Sequence, residues 1–545
     1  MNRDLLTTAH RLRPSLIALA LAGALGACSS TADPAALGPT QSLQANVKTV
    51  VVIYAENEGF DKLYGNFPGA NGVPVGTAYI PQTERNSDTP LPTLPQTWGG
   101  VTAAGQSPVI TQAQSAGLTN APFMIETAFQ SAAGAPLTQG VITRDLYHRF
   151  FENQMQINGG KNDKFAAYSD AGGLTMGRYD GSQMALWRIA QQYVLADNFF
   201  QGAFGGSFLN HQYLVCACAP EYPNADTAAA KPTIAALKTD ANGNYLPALA
   251  QAANSPASAM DGPPVYVLSG NIAPKNYFGD GTFRAINTMQ PPFQPSGNAP
   301  AAADTTGQYA DPAKATTLPA QTQQNIGDLL NAKGVNWAWY SGAWNSSLAS
   351  RTGIYSGGTP NFQPHHQPFN YYANFDPVKN AADRTAHLKD YTDLVSDAAA
   401  GKLPPVVFYK PQGNLNQHPG YTDVTSGDAH IADTIAKLQA SPQWANMVIV
   451  VTYDENGGAW DHVAPPKGDL LGPGSRIPAL VISPFSAGGG VDKTPYDTAS
   501  VLRLITKVFG LPMLPGLAAR DAALVANGGK PMGDLTAALK LPARP

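Results

Sequence analysis

The chain has 545 residues, 43% of them hydrophobic and 13% charged, with a formal net charge of −4. That length exceeds the roughly 100–200 residues of an ordinary single core, so it fits one large domain with long insertions or two domains. No Lys/Arg-rich run accompanies the mild negative charge, which leaves nucleic-acid binding without electrostatic support.

The N-terminus reads as an address. Arg3, Arg11 and Arg13 precede an apolar stretch over 16–25, followed by Gly26-Ala27-Cys28-Ser29-Ser30. This is the pattern of a bacterial export signal over 1–27, too short for a membrane span. Leu25-Gly26-Ala27-Cys28 is also lipobox-like. Cys28 is then either acylated, making a periplasmic or outer-membrane lipoprotein, or lies near an ordinary cleavage site in a released protein. Residues 28–45 are expected to form a flexible tether. The other two cysteines, Cys216 and Cys218, are one residue apart, an awkward spacing for a mutual disulfide and too few for a closed zinc site. They are expected to be small buried hydrophobes.

The first predicted strand, over 50–54, ends in Ala55-Glu56-Asn57-Glu58-Gly59. A Pro/Thr/Gly-rich excursion follows over 66–120. Residues 143–165 have helical character and close in a glycine-containing loop. A helix is predicted over 184–198, leading into Phe199-Phe200-Gln201. Ser207 follows Gly205-Gly206 and precedes an apolar stretch suited to start a helix. It is either a nucleophile placed where backbone amides hold an anion, or a helix-capping serine. Further on come a helix over 324–332 and short apolar strands over 337–341, 405–410, 447–453 and 477–483. This alternation indicates an α/β sandwich with a mainly parallel sheet, helices on both faces and long loop insertions.

The strand over 447–453 runs into Asp454-Glu455-Asn456-Gly457-Gly458. Alone, such a segment is either a metal site or a turn. The ending at Glu56 and Asn57 has the same design, and two strand ends each delivering oxygen ligands suggest one shared divalent cation. Four of the nine histidines add to the pattern: His148 in Asp145-Leu146-Tyr147-His148, the pair His365-His366 between prolines, and His418 in Gln417-His418-Pro419-Gly420. His462 follows the acidic segment.

Taken in order, Ala55-Glu56-Asn57-Glu58-Gly59-Phe60-Asp61, Ala196-Asp197-Asn198-Phe199-Phe200, His418-Pro419-Gly420-Tyr421 and Thr452-Tyr453-Asp454-Glu455-Asn456-Gly457-Gly458 make the chain resemble the bacterial acid phosphatase–phospholipase C family of the alkaline phosphatase superfamily. The likeness spans about 47–510, and the stretch from Asp145 to Phe165 resembles the acid phosphatase branch. It implies an alkaline phosphatase-like phosphoesterase domain over 46–545, with insertions near 66–130 and 212–330. It also implies one divalent metal ion held by Glu56, Asn57, Ser207, Asp454 and Glu455. Ser207 would attack phosphorus to form a phosphoserine, with His148, His365, His366 and His418 around the phosphoryl oxygens. His418 or His148 would protonate the leaving alcohol, and a histidine titrating near pH 6 would suit an acidic optimum.

Two departures weigh on the substrate. Glu58-Gly59 stands where the phospholipase pattern commonly has Arg-Ser or Arg-Ala, and Ser207-Phe208-Leu209-Asn210 stands where it often has Thr near Pro-Asn. A second acid beside the ligands either disfavours an anionic headgroup or points away. The expectation is therefore an acid phosphatase acting on phosphomonoesters. A phospholipase C with the same machinery is the alternative, and a surface lipoprotein that only binds is the third. An apolar rim beside the site would favour lipid.

Overall fold

The computed structural model describes residues 37–74, 79–131, 133–351, 354, 361–486 and 488–542. The export signal and Cys28 lie outside them. Eight strands form the central sheet: β1 (Thr49–Ala55), β2 (Val194–Ala196), β3 (Trp337–Ser341), β4 (Leu388–Asp390), β5 (Val406–Lys410), β6 (Met447–Tyr453), β7 (Ala479–Ile482) and β8 (Val491–Asp492). Their spatial order is β8-β2-β7-β6-β1-β5-β3-β4, and only β7 runs against the rest. This is the mainly parallel α/β architecture expected. Every residue of β1, β5 and β6 is buried. Strands covered on both faces need apolar side chains in both directions, which is why they read as unbroken Val/Ile runs.

The helices that matter for the site are α1 (Pro39–Asn46), α2 (Phe60–Tyr64), α3 (Phe150–Ile157), α4 (Ala185–Gln192), α5 (Ser207–Cys216), α6 (Val424–Gln439) and α7 (Thr498–Phe509). Helix α5 packs on α7, and α4 on α6. Among the described residues, no main-sheet strand comes from 66–130 or 212–330. Among the described residues, no helix is long and apolar enough to cross a membrane.

Four local expectations give way. Residues 39–45, expected to lie in the tether, are helical: α1 buries Leu43 and the Ser42 hydroxyl donates to Pro542 O at 2.6 Å. The helix expected over 184–198 stops at Gln192, and 194–196 becomes β2, paired with β7 and β8. Within 143–165 the α-helix starts only at Phe150; Asn158, at φ 47°, ends it where the glycine-containing loop was expected, in the left-handed region that Asn tolerates. Cys216 and Cys218 form a disulfide. Ala217 adopts φ 51° and ψ 37° at the end of α5, so the chain doubles back and brings the two Cα atoms to 5.1 Å.

Candidate active site

The register of the sheet builds the site. Ala55 pairs with Tyr453, so Glu56 and Asp454 leave neighbouring strands side by side, at the C-terminal edge where open α/β sheets bind ligands. Asn57 turns sharply at φ 60°. That turn aims its backbone N–H at Asp454 Oδ1 (3.0 Å) and leaves its side-chain oxygen to accept from the Ser207 hydroxyl at 3.1 Å. Gly457, at φ 59°, faces the same turn: a Cβ there would meet Asn57 O at 2.3 Å.

Ser207 is the first residue of α5, with Gly206 as the cap, so it is free of the capping role. Unpaired amides at a helix N-terminus favour an anion. The preceding turn needs glycine, since a Cβ on Gly205 (φ 82°) would lie 2.4 Å from Phe150 N. Asn210 fixes the turn from inside α5, its amide donating to Ala203 O, Gly205 O and Gly206 O.

A cavity of about 220 Å³ opens over Ser207. Its walls include His148, Arg149, His365, His418 and Tyr421. The Asn57 amide lies 2.9 Å from His418 Nε2 and 3.4 Å from His148 Nε2. His366 sits behind the wall, 2.7 Å from Glu56 Oε1. All the expected residues therefore converge on one place. His462 does not: it joins a separate buried ion network with Asp61, Asp461 and Arg476.

Several participants were not anticipated. Lys410, fully buried at the end of β5, lies 2.9 Å from Glu56 Oε1. Asn416 and Tyr421 donate to Glu56 Oε2, Tyr421 at 2.8 Å. His211, one turn after Ser207 on α5, stands 3.8 Å from Asp454 Oδ2. Asp145 flanks His148. His211 had a local signal, because residues four apart share a helix face. Lys410 did not, because a lysine ending an apolar run reads as a solvated strand end.

The electrostatics split the acids. Burial alone would raise Glu56; His366 and Lys410 overcome it and hold the carboxyl well below its usual range. Burial and the charge of Glu56 push Asp454 up to about 7. Burial and Asp454 raise Glu455 well above its ordinary value, against the opposing field of His148. Burial disfavours a charged His148, yet Glu455 and Asp145 hold it at about 9. Burial lowers His365, His366 and His418. The four histidines are thus split, His148 raised and His365, His366 and His418 lowered from the ordinary imidazole value.

The donor set fits a divalent cation. Asp454 Oδ2 and Glu455 Oε1 are buried without a hydrogen-bond partner, as are His211 Nε2 and both ring nitrogens of His365. Buried carboxylate oxygens left unpaired are costly unless something neutralises them. Glu56, His211 and His365 could themselves hold a metal ion, as could Asp145, His148 and His418.

Residues 47–512 match the phosphoesterase family. The chain belongs to that family. It is 24% identical to phospholipase C B of Mycobacterium tuberculosis over 553 residues, covering 93% of this chain and 80% of that one. It is 30% identical over 177 residues to the non-hemolytic phospholipase C of Pseudomonas aeruginosa, 27% of this chain and 24% of the relative. Among solved structures, a protein in the alkaline phosphatase superfamily from Vibrio parahaemolyticus aligns with a TM-score of 0.30 at 9% identity, over 70% of this chain and 72% of that one. In this phosphoesterase the cavity is lined by Ser207, His148, His365 and His418, with the paired acids Asp454 and Glu455 buried close by.

Proposed function

We propose that this phosphoesterase is a metal-dependent phospholipase C, cleaving lipid phosphodiesters through a phosphoserine intermediate. The observation that carries the reading is the end-to-end similarity to a phospholipase C over 93% of the chain. The main sequence argument against it falls away. Glu58 is buried and its carboxylate pairs with Lys62 on α2 at 2.9 Å, so it presents no negative charge to a headgroup. The expected acid phosphatase remains the second reading, favoured by one observation: the cavity over Ser207 is small and polar, at about 220 Å³.

The metal is one divalent cation. Asp454 and Glu455 would hold it through their free oxygens, with Glu56, Asn57 and Ser207 as the other ligands. A bound cation lowers the pKa of the serine hydroxyl, which is a poor nucleophile near neutral pH. Ser207, its hydroxyl proton released to solvent, attacks phosphorus in line, its P–O bond forming as the bond to the leaving lipid alkoxide breaks. His148, held protonated by Glu455 and Asp145, gives its proton to that alkoxide; its Nδ1 is fixed 2.6 Å from Leu146 O, which leaves Nε2 facing the reaction. Arg149 and the amides at the start of α5 face the phosphoryl oxygens. Water then releases the phosphorylated headgroup from the serine, with His148 returning as base.

The leader pattern and the Cys216–Cys218 disulfide support an exported protein, since such bonds persist in oxidising compartments. Acylated Cys28 would attach it to the membrane.

The test pairs p-nitrophenylphosphorylcholine with p-nitrophenyl phosphate. The diester is expected to turn over faster, and Ser207→Ala to lose both activities. A preference for the monoester would overturn the phospholipase reading. A variant keeping a tenth of the rate, about 1.4 kcal/mol on the barrier, would remove Ser207 as nucleophile.

A further inference from the structure

Gln201 does not line the cavity over Ser207, yet its side chain touches both halves of the site. It is fully buried. Its Oε1 accepts at 3.0 Å from the backbone N–H of Asn456, the residue directly after Glu455. Its Nε2 donates to Ala203 O at 2.8 Å and to Gly205 O at 3.1 Å, in the turn that leads into Ser207. Chemistry forces this orientation of the amide. A backbone N–H can only donate and a carbonyl can only accept, so Oε1 must face Asn456 and Nε2 the turn.

The backbone that carries Gln201 is clamped as well. Gln201 N donates to Ser475 O and Gly474 N donates to Gln201 O, both at 3.0 Å. Gly474 leaves room for the side chain, since a Cβ there would lie 2.6 Å from Gln201 Cγ. Next in the chain stands Arg476, the centre of the ion network that holds His462. Its guanidinium meets Asp61 Oδ1 at 2.8 Å and Asp461 Oδ2 at 3.1 Å, and donates to Asp197 O at 2.8 Å. Asp61 lies just beyond Glu56 and Asn57, and Asp461 just beyond Asp454 and Glu455. The strip 474–476 that seats Gln201 is therefore tied to both loops that carry acids.

We infer that Gln201 is a positioning residue that couples the cation site to the nucleophile, fixing the turn before Ser207 against the loop of Asp454 and Glu455. This rests on the reading of Ser207 as a nucleophile activated by a cation on the paired acids, not on the choice between diester and monoester. A cation lowers the pKa of a serine hydroxyl only when the two are held together. Displacing a reacting group by about 1 Å can cost on the order of a hundredfold in rate. Gln201 spends one polar atom on each half of the site, and a satisfied buried amide rigidifies what it joins. Asn210 holds the same two carbonyls from within α5 but makes no bond to the acid loop.

The test compares Gln201→Glu and Gln201→Met with the parent, on whichever p-nitrophenyl ester the parent prefers, at a temperature where circular dichroism shows them folded. Uptake of Co2+, read from its visible spectrum, reports the acid side. Gln201→Glu keeps an acceptor for Asn456 and sets an oxygen against Ala203 O and Gly205 O. It should lose at least tenfold in kcat, with KM within threefold and Co2+ affinity no weaker than the parent's. Gln201→Met breaks both ends and should lose at least tenfold in kcat and bind Co2+ more weakly; it carries the test should the first variant fail to fold. Folded variants that lose less than tenfold in kcat, or a parent that takes up no Co2+, overturn the coupling. So does a loss of kcat that disappears on cooling, the mark of a side chain acting through stability alone. Ser207→Ala separates the failures. If it is inactive while the Gln201 variants stay within tenfold, the coupling falls and the nucleophile stands. If it keeps the parental rate, the nucleophile falls and takes the coupling with it.

Discussion

Glu56 and Asp454 leave adjacent parallel strands one residue past paired partners, yet their surroundings are opposite. Glu56 is met on both oxygens: His366 and Lys410 at Oε1, Asn416 and Tyr421 at Oε2. Asp454 spends Oδ1 on the amides of Asn57 and Glu455, and its Oδ2 is left without a hydrogen-bond partner, as is Oε1 of Glu455. One strand end has had its charge neutralised by the protein; the other has been desolvated and left open. The two acids look alike in sequence and do different work. Glu56 ties the end of β1 to Lys410 at the end of β5 by charge as well as facing the proposed ligand set, whereas the Asp454–Glu455 pair has buried oxygens without hydrogen-bond partners that could take a cation.

The difference predicts opposite phenotypes. Asp454→Asn should cost at least about a hundredfold in turnover, some 2.7 kcal/mol on the barrier, with loss of bound metal and little loss of fold. Elemental analysis and phosphodiester kinetics check this; unchanged metal stoichiometry would take Asp454 out of the ligand set. Glu56→Gln should instead destabilise the chelated protein by about 3–5 kcal/mol, because it leaves Lys410 buried without its counter-charge. Urea denaturation in EDTA reads this directly. A variant as stable as the parent would show that the four donors can re-pair without the carboxylate.

The parts of this arrangement that could be read from sequence are those encoded locally. β1 and β6 announce themselves as apolar runs because both faces are buried, and their acidic ends follow in chain order. Ser207 stands out for its paired glycines. What could not be read depends on distant partners. The reversal of β7 and the strand at 194–196 are settled by which neighbours the sheet offers, not by propensity. Helix α1 docks through a contact to Pro542, 500 residues away. Lys410 reaches Glu56 only because β5 lies beside β1. The direction of Glu58 required the start of α2, which brings Lys62 over it.

A pH titration of the chelated protein sharpens the comparison further. Asp454 is raised in the fold from an ordinary 3.8 to about 7. Its contribution is therefore fully present below pH 3.8 and is lost as pH rises through about 7, where the folded state must bear the charge. A bound cation offsets that charge. The increase in melting temperature on adding metal should accordingly grow from pH 4.5 to pH 7.5, by several degrees, and flatten in Asp454→Asn. A metal-induced shift independent of pH would mean that Asp454 is ionised in the free protein.

The smallest effect is expected at Glu58. Its carboxylate is buried, pushed up to about 7 by desolvation against the pull of Lys62, and it faces α2 rather than the cavity. Glu58→Gln keeps the shape and removes a charge that substrate never meets. We expect kcat/KM for p-nitrophenylphosphorylcholine to change less than threefold, with a modest fall in stability from the unpaired Lys62. A gain of tenfold or more would show that Glu58 repels the headgroup after all. That result would also revive the reading in which this acid turns the site toward phosphomonoesters.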